Sequence, residues 1–256
     1  MRVASNSFFN ALARGGFLAR GAIYVAVGFL AARAAFWSAG RPAGLRDAMN
    51  ALLLGPYGPW VLGGVAAGLL AFAAWRLAQA MYFHGFFRRA SALFGAVASA
   101  ALGTTAIRLL LHLRGGSSAA TMRALTRRLI VYPSGRYLLV ATGALTIVVA
   151  LVESFLAVSG RFRHHIKLSE MSPGLRLWAA RIARLGLLAH GVVLGVIGTF
   201  LMRSGLESDS SEVKELGGAL STLSRPPFAP LVMGSVAIGL MAYGLYLWIL
   251  SGYRRR

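Results

Sequence analysis

The stretch Leu12–Phe36 reads LARGGFLARGAIYVAVGFLAARAAF, an apolar segment with Arg20 and Arg33 at its two sides and Gly21 and Gly28 between them. About 20 predominantly apolar residues are enough for a helix to cross the hydrocarbon core of a bilayer. A helix also satisfies its own backbone hydrogen bonds, which a lipid environment requires. The stretch therefore predicts a transmembrane helix.

The same pattern occurs again at 184–203, which reads RLGLLAHGVVLGVIGTFLMR. There Gly191, Gly198 and Arg203 keep the spacings of seven and twelve residues that the first copy has. A weaker copy between the two contains, in the same order, Arg88, Gly95 and Arg108. An internal repeat predicts a fold that is assembled from copies of one unit.

The composition indicates a membrane protein along most of the chain. Of the 256 residues, 57% are hydrophobic and only 13% are charged, and the runs 48–75 and 226–253 contain no charged side chain. These continuous runs lack the alternation of a membrane β-barrel strand. We therefore predict an all-α, polytopic membrane protein.

Six membrane helices are predicted, paired into three helical hairpins with a pseudo-threefold arrangement. Their ranges are 17–37, 59–83, 91–113, 137–159, 185–202 and 231–250. Proline marks the start of the second helix in each hairpin, at Pro56, Pro133 and Pro227. Twenty residues further on lie three positions that we equate across the repeats, Arg76, Glu153 and Leu247. The hairpins span 12–86, 87–160 and 181–253 of a single membrane domain, 1–256.

A basic linker, 161–180, separates the second hairpin from the third. After a break at Pro173, Leu175, Trp178 and Ile182 share one helical face, and arginines occupy the remaining surface. This pattern predicts a helix that lies at the membrane interface and leads into the fifth membrane helix. A solvated linker is the alternative.

The formal net charge is +20, which in a soluble protein would suggest nucleic-acid binding. Here the basic residues lie in short loops and at helix ends, which is typical of membrane topology signals. More Lys and Arg fall in the loops on the side of the two termini, which predicts that both termini are cytoplasmic. We expect anionic lipid headgroups at that face as partners, consider a second copy or another membrane protein as further partners, and expect no nucleic acid.

The repeat also resembles a known family. Odd-numbered predicted helices have Arg-Gly on one side and a G-x-x-x-x-R motif on the other. The second and sixth predicted helices contain GLLAFAAWRLAQA and GLMAYGLYLW. Together these motifs look like bacterial domain-of-unknown-function family 1206. His190 and Phe94 depart from this pattern because an arginine is expected at each position. The resemblance implies three copies of a two-helix membrane unit in a bacterial cell membrane, and it implies no activity.

An intramembrane polar cluster is the main candidate site. Arg76 and Glu153 lie six or seven residues inside the ends of their predicted helices, where charges are costly, rare and usually paired. We hypothesise that they pair with each other, with Arg20 and His190 at similar depth nearby. In the alternative, Arg76 extends to the headgroups and Glu153 caps a neighbouring helix.

Glycines are the candidate packing residues. The segments 64–68 and 191–195 have G-x-x-x-G spacing, which allows helices to approach closely. The glycines predicted to pack against neighbouring helices are Gly21, Gly28, Gly64, Gly68, Gly191, Gly195, Gly198 and Gly239. The same residues would serve a homodimer.

Motifs for catalysis or cofactors are missing from the sequence. It has no G-x-S-x-G, no P-loop and no cysteine, and its five histidines lack metal-site spacing. We expect no enzymatic activity, no cofactor and no metal. The leading function is therefore a structural or accessory membrane protein that binds lipid or partner proteins. The alternative is a small transporter or channel with a path lined by Arg76 and Glu153.

Overall fold

The structure, a computed structural model, describes residues 7–36, 45–82, 85–111, 126–162, 171–207 and 229–253. These ranges are helical apart from short turns. The labelled helices are α1 (Ser7–Phe36), α2 (Leu45–Leu53), α3 (Gly58–Tyr82), α4 (Phe86–Leu110), α5 (Pro133–Ser159), α6 (Pro173–Glu207) and α7 (Ala229–Tyr253). Six of them, α1 and α3 to α7, are long and apolar enough to cross a membrane. The predicted all-α fold with six membrane helices is confirmed.

Two helices begin ten or more residues before their predicted spans, α1 and α6. Helix α1 begins at Ser7, ten residues before the predicted span, because its first turns pack beside α3: Ala13 is buried against Phe72. Helix α6 begins at Pro173 and continues without interruption. Proline fits the first turn of a helix, so Pro173 starts this helix and the basic segment after it belongs to α6.

The region predicted as a loop, 38–57, contains the amphipathic helix α2. Ala48 and Met49 on this helix are fully buried. They anchor it against α1, α3 and α4. The loop prediction was wrong because the apolar positions of α2 are too few to stand out beside the long membrane runs.

The helices in extensive contact form the series α4–α3–α1–α7–α6–α5. Within the described ranges α4 and α5, the two helices of the predicted hairpin 87–160, share at most a marginal contact. They are also the least buried spans, with 22% of each buried against 67% for α7. The first and third predicted hairpins do bring their two helices together, whereas α4 packs on α3 and α5 packs on α6.

Arginines join the helix pairs α7–α1, α3–α4 and α5–α6 in the same way. In each pair an arginine Nε of one helix donates to a carbonyl in the last turn of its partner: Arg14 to Ser251 (2.8 Å), Arg89 to Ala80 (3.0 Å) and Arg184 to Ala157 (3.1 Å). The three acceptors each lie four residues after a position that the sequence equates, namely Arg76, Glu153 or Leu247. A guanidinium favours a helix C-terminus because the carbonyls there lack intrahelical partners and carry partial negative charge.

Most predicted packing glycines lie at close approaches. A Cβ at Gly28 would stand 2.7 Å from the Ala237 carbonyl, and one at Gly198 would stand 3.0 Å from the Gly143 carbonyl. Gly21, Gly68, Gly191 and Gly239 are similarly close to a neighbouring helix. By contrast, Gly64 has open space beside it, and a Cβ at Gly195 would meet only Ala150, at 4.0 Å. Each G-x-x-x-G motif therefore uses one of its two glycines for tight packing.

Candidate functional site

A chain of hydrogen bonds with His190 at its centre joins three membrane helices. The Nδ1 atom of His190 on α6 lies 2.6 Å from Oε2 of Glu153 on α5. Its Nε2 atom lies 2.9 Å from the hydroxyl of Tyr24 on α1. Both ring nitrogens are thus bonded to residues of other helices, so the imidazole links α6 to α1 and to α5.

Aromatic rings enclose the imidazole. The ring of Tyr243 on α7 stacks on His190 with centroids 3.9 Å apart and planes 5° apart. The ring of Tyr24 meets both His190 and Tyr243 edge-on, at 5.0 Å. The His190 side chain is consequently only 4% exposed, whereas 18% of the Glu153 side chain remains exposed. Glu153 is therefore the more exposed member of this bonded pair.

Arg20 extends this group along α1. It lies one helical turn before Tyr24, so the two side chains share a face of α1. Its guanidinium carbon also lies 5.3 Å from the centre of the Phe72 ring, and that of Arg76 lies 5.4 Å from the same ring. Phe72 is fully buried, so two cations share one desolvated aromatic ring, where cation–π attraction is strongest.

The structure brings the predicted cluster together in an order that the sequence did not indicate. Glu153 and His190 are bonded directly, and Tyr24 bonds to the other side of the imidazole. Arg20 and Arg76 meet at the ring of Phe72. Among the contacts described, the carboxylate bonds to the imidazole. A direct pair between Arg76 and Glu153 stays a prediction.

Sequence reasoning missed Tyr24, Tyr243 and Phe72. A signal for each was present, because each lies four residues from a candidate position: Tyr24 from Arg20, Phe72 from Arg76, and Tyr243 from Leu247. Residues four apart share a helix face. Searching one turn on either side of Arg20 and of the equated positions would therefore have found all three rings.

The arrangement can hold and redistribute a proton. It contains a carboxylate, an imidazole and a phenol in hydrogen-bonding order. The described residues contain no group of three His, Cys, Asp or Glu side chains that could hold a metal ion. A carboxylate, an imidazole and a phenol in contact can exchange protons and compensate charge.

Comparison with known proteins extends over most of the chain. The family described as Domain of Unknown Function (DUF1206) matches residues 15–82 and 185–254. An uncharacterised protein, YxxB of Bacillus subtilis (strain 168), is 28% identical over 240 residues, which cover 90% of this chain and 86% of that protein. No solved structure matches the chain. The matched ranges contain Arg20, Arg76 and His190, whereas Glu153 lies between them.

Proposed function

Because the chain belongs to the DUF1206 family, whose description assigns no activity, we propose a function from the geometry. The protein is an integral protein of the bacterial cell membrane in a structural or accessory role. Its basic end, where α1, α4 and α6 begin, faces the cytoplasm and binds anionic lipid headgroups. Binding of a partner membrane protein is the other form that this accessory role can take.

The observation that carries this proposal is the length of α6. Its 35 residues extend about 52 Å at 1.5 Å per residue, whereas the hydrocarbon core is about 30 Å thick. Residues 172–178, at its start, are exposed on every side. The first turns of α6 therefore project beyond the bundle at the basic end.

The chemistry of this projecting segment suits a headgroup layer. Trp178 is 61% exposed, and the guanidinium carbon of Arg181 lies 5.5 Å from the centre of its indole ring. Leu175 and Leu177 are also exposed beside Arg176. Tryptophan and leucine favour the interface, and each arginine near an anionic surface contributes about 1 kcal/mol to binding.

A groove between α1 and α3 supports the same proposal. It has a volume of about 550 Å³ and is lined by small apolar residues, among them Gly15, Ala19, Gly64 and Gly68. It lies along the first half of α1, the half nearer the basic end. An acyl chain in this groove would place its headgroup at the basic end, on the same side of the membrane as the projecting arginines. It would also account for the open space beside Gly64.

Lipid retention tests this function. Purified protein in detergent is given phosphatidylglycerol or phosphatidylcholine, and bound lipid is counted by native mass spectrometry. We expect preferential retention of phosphatidylglycerol and its loss in Arg176→Gln/Arg181→Gln. The matched control, Arg127→Gln/Arg128→Gln, changes two exposed arginines at the opposite end and should retain lipid. Equal retention of both lipids by the unmodified protein would reject the proposal.

A small transporter is the second candidate, and the partial exposure of Glu153 is the observation that favours it. The chain has no cysteine, so Glu153→Cys introduces a unique thiol. Labelling of this thiol in whole cells by a small, charged, water-soluble reagent would show that water reaches the site and would favour the transporter. Protection of the thiol, with ready labelling of Arg176→Cys in permeabilised cells, would favour the accessory role.

A further inference from the structure

The groove between α1 and α3 has the length of one membrane leaflet. Its lining extends from Ala11 to Ala22 on α1 and from Val61 to Ala71 on α3. At 1.5 Å per residue these segments are about 16 and 15 Å long. Half of a hydrocarbon core of about 30 Å is about 15 Å. One acyl chain from the leaflet at the basic end therefore matches the groove in length.

The two helices are in tight contact in one part of the groove and leave space in another. A Cβ at Gly68 would stand 2.7 Å from the Gly15 carbonyl oxygen and 2.8 Å from the Ala19 Cβ. A Cβ at Gly64, one turn earlier on α3, would have nothing within 4 Å. The volume of about 550 Å³ lies within the range of about 300–1,000 Å³ that is usual for ligand sites. The groove therefore has room for an acyl chain, and its apolar lining disfavours a polar ligand.

Arg14 provides a cation at the edge of the groove. Ala11 and Leu18, which line the groove, lie three residues before and four residues after Arg14 on α1. Residues at these spacings share a helix face. Side chains of a helix lean towards its N-terminus, so Arg14 extends towards the basic end. A lipid whose acyl chain occupies the groove would have its headgroup at that end.

The guanidinium of Arg14 has donors for a phosphate. It carries five N–H donors, and its described hydrogen bond, from Nε to the carbonyl oxygen of Ser251 at 2.8 Å, uses one of them. The other donors are on the two terminal nitrogens, which can bind two phosphate oxygens in parallel. The bond to Ser251 also holds the guanidinium beside the end of α7, so the group is positioned before a lipid arrives.

We propose that this groove binds one acyl chain of a glycerophospholipid and that Arg14 binds the phosphate of the same lipid. The proposal rests on the proposed function, in which lipid binds at the basic end. It adds a site that recognises the phosphate and not the net charge of the headgroup. This site takes phosphatidylcholine as well as phosphatidylglycerol, whereas Arg176 and Arg181 on α6 select the anionic lipid.

Native mass spectrometry with phosphatidylcholine tests the site, because this lipid has a phosphate but no net charge. Gly64→Leu fills the groove and leaves Arg14 in place. We expect this variant to retain one phosphatidylcholine fewer than the unmodified protein. Ala144→Leu, at an exposed position on α5, is the matched control and should retain the full number. Equal retention by Gly64→Leu and the unmodified protein would overturn the proposal.

Arg14→Gln tests the contact with the phosphate. We expect it to retain one phosphatidylcholine fewer, and we expect Arg14→Gln/Gly64→Leu to lose no more than either single variant, because both changes act on one lipid. Arg108→Gln, at an exposed position near the opposite end of the bundle, should retain the full number. Losses that add in the double variant would overturn the assignment of phosphate and chain to the same lipid.

Diacylglycerol separates the phosphate contact from a structural role of Arg14, because it has acyl chains and no phosphate. Its retention should fall in Gly64→Leu and stay unchanged in Arg14→Gln. A loss of diacylglycerol in Arg14→Gln would show that the substitution disturbs the groove itself, and it would overturn the role of Arg14.

The two lipid proposals fail in different ways. Failure of the proposed function would show as equal retention of phosphatidylglycerol and phosphatidylcholine by the unmodified protein. Failure of the groove site would leave the preference for phosphatidylglycerol in place, and Gly64→Leu would retain as much phosphatidylcholine as the unmodified protein.

Discussion

The contact between α1 and α7 can be tested at Gly28. A Cβ added there would meet backbone atoms of α7, 2.7 Å from the Ala237 oxygen and 2.8 Å from the Met241 nitrogen. To restore ordinary contact, from 3.4 Å upwards, the helices would have to separate by about 0.7 Å. Backbone atoms cannot rotate aside as a flexible side chain can. Overpacking of this kind costs about 1–3 kcal/mol.

Gly64→Ala is the matched control because nothing lies within 4 Å of a Cβ at that position. Both substitutions replace glycine by alanine inside a membrane helix, and both gain up to about 1 kcal/mol of helix propensity. This gain cancels when the two variants are compared. We therefore expect Gly28→Ala to be less stable than Gly64→Ala by about 1–3 kcal/mol.

Thermal unfolding in detergent, followed by the fluorescence of the five tryptophans, measures this difference. Each kcal/mol corresponds to roughly 2–4 °C in the midpoint for a chain of this size. Equal midpoints for the two variants, or a lower midpoint for Gly64→Ala, would refute the close approach of α1 and α7. The same variants should keep their far-ultraviolet circular dichroism, because neither disrupts a helix.

Three further predictions use the same unfolding measurement. Arg184→Ala removes hydrogen bonds to the carbonyls of Ala157 and Val158 and should lower stability by about 1–3 kcal/mol. Arg128→Ala, at an exposed position, should cost less. Equal effects of the two substitutions would contradict the capping role of Arg184. Phe72→Ala should cost about 3–5 kcal/mol because the ring is fully buried, and Trp60→Ala, at an 84% exposed position, should cost clearly less. Glu207→Gln should change stability by less than about 0.5 kcal/mol because the 3.8 Å pair with Arg203 is exposed, and a larger loss would show that this pair is structural.

The membrane helices could be predicted because their signal is local. A run such as 226–253, which contains α7, has the length and hydropathy of a span whatever packs around it. Gly21, Gly28, Gly191 and Gly198 could be predicted as packing residues for a related reason. Their spacing in the repeat places the two glycines of each copy on one face of the helix. Their partners could not be predicted in the same way, because spacing does not tell which neighbour that face meets.

The bond between Glu153 and His190 was not predicted, and it shows which information the sequence pattern lacks. The hypothesis compared equated positions on the second helix of each hairpin. It therefore considered Arg76 on α3 as the partner of Glu153 on α5. In the structure the second helix of a hairpin packs closely on the first helix of the next hairpin. The contacts of Arg89, between α3 and α4, and of Arg184, between α5 and α6, show this. By that rule Glu153 on α5 faces His190 on α6. The pairing depends on helix order in space, which hydropathy does not contain.

The distance along the chain between α1 and α7 affects how the protein is made. Arg14 and Ser251 are 237 positions apart, and a ribosome adds about 5–20 residues per second. The glycine face of α1 therefore waits roughly 10–50 s in the membrane before the helix that covers it has been synthesised. Helix α3 emerges much earlier and brings Phe72 to Arg20. During this interval the aromatic ring shields the arginine from lipid, so Phe72 acts as an early partner in biogenesis as well as a core residue of the finished bundle.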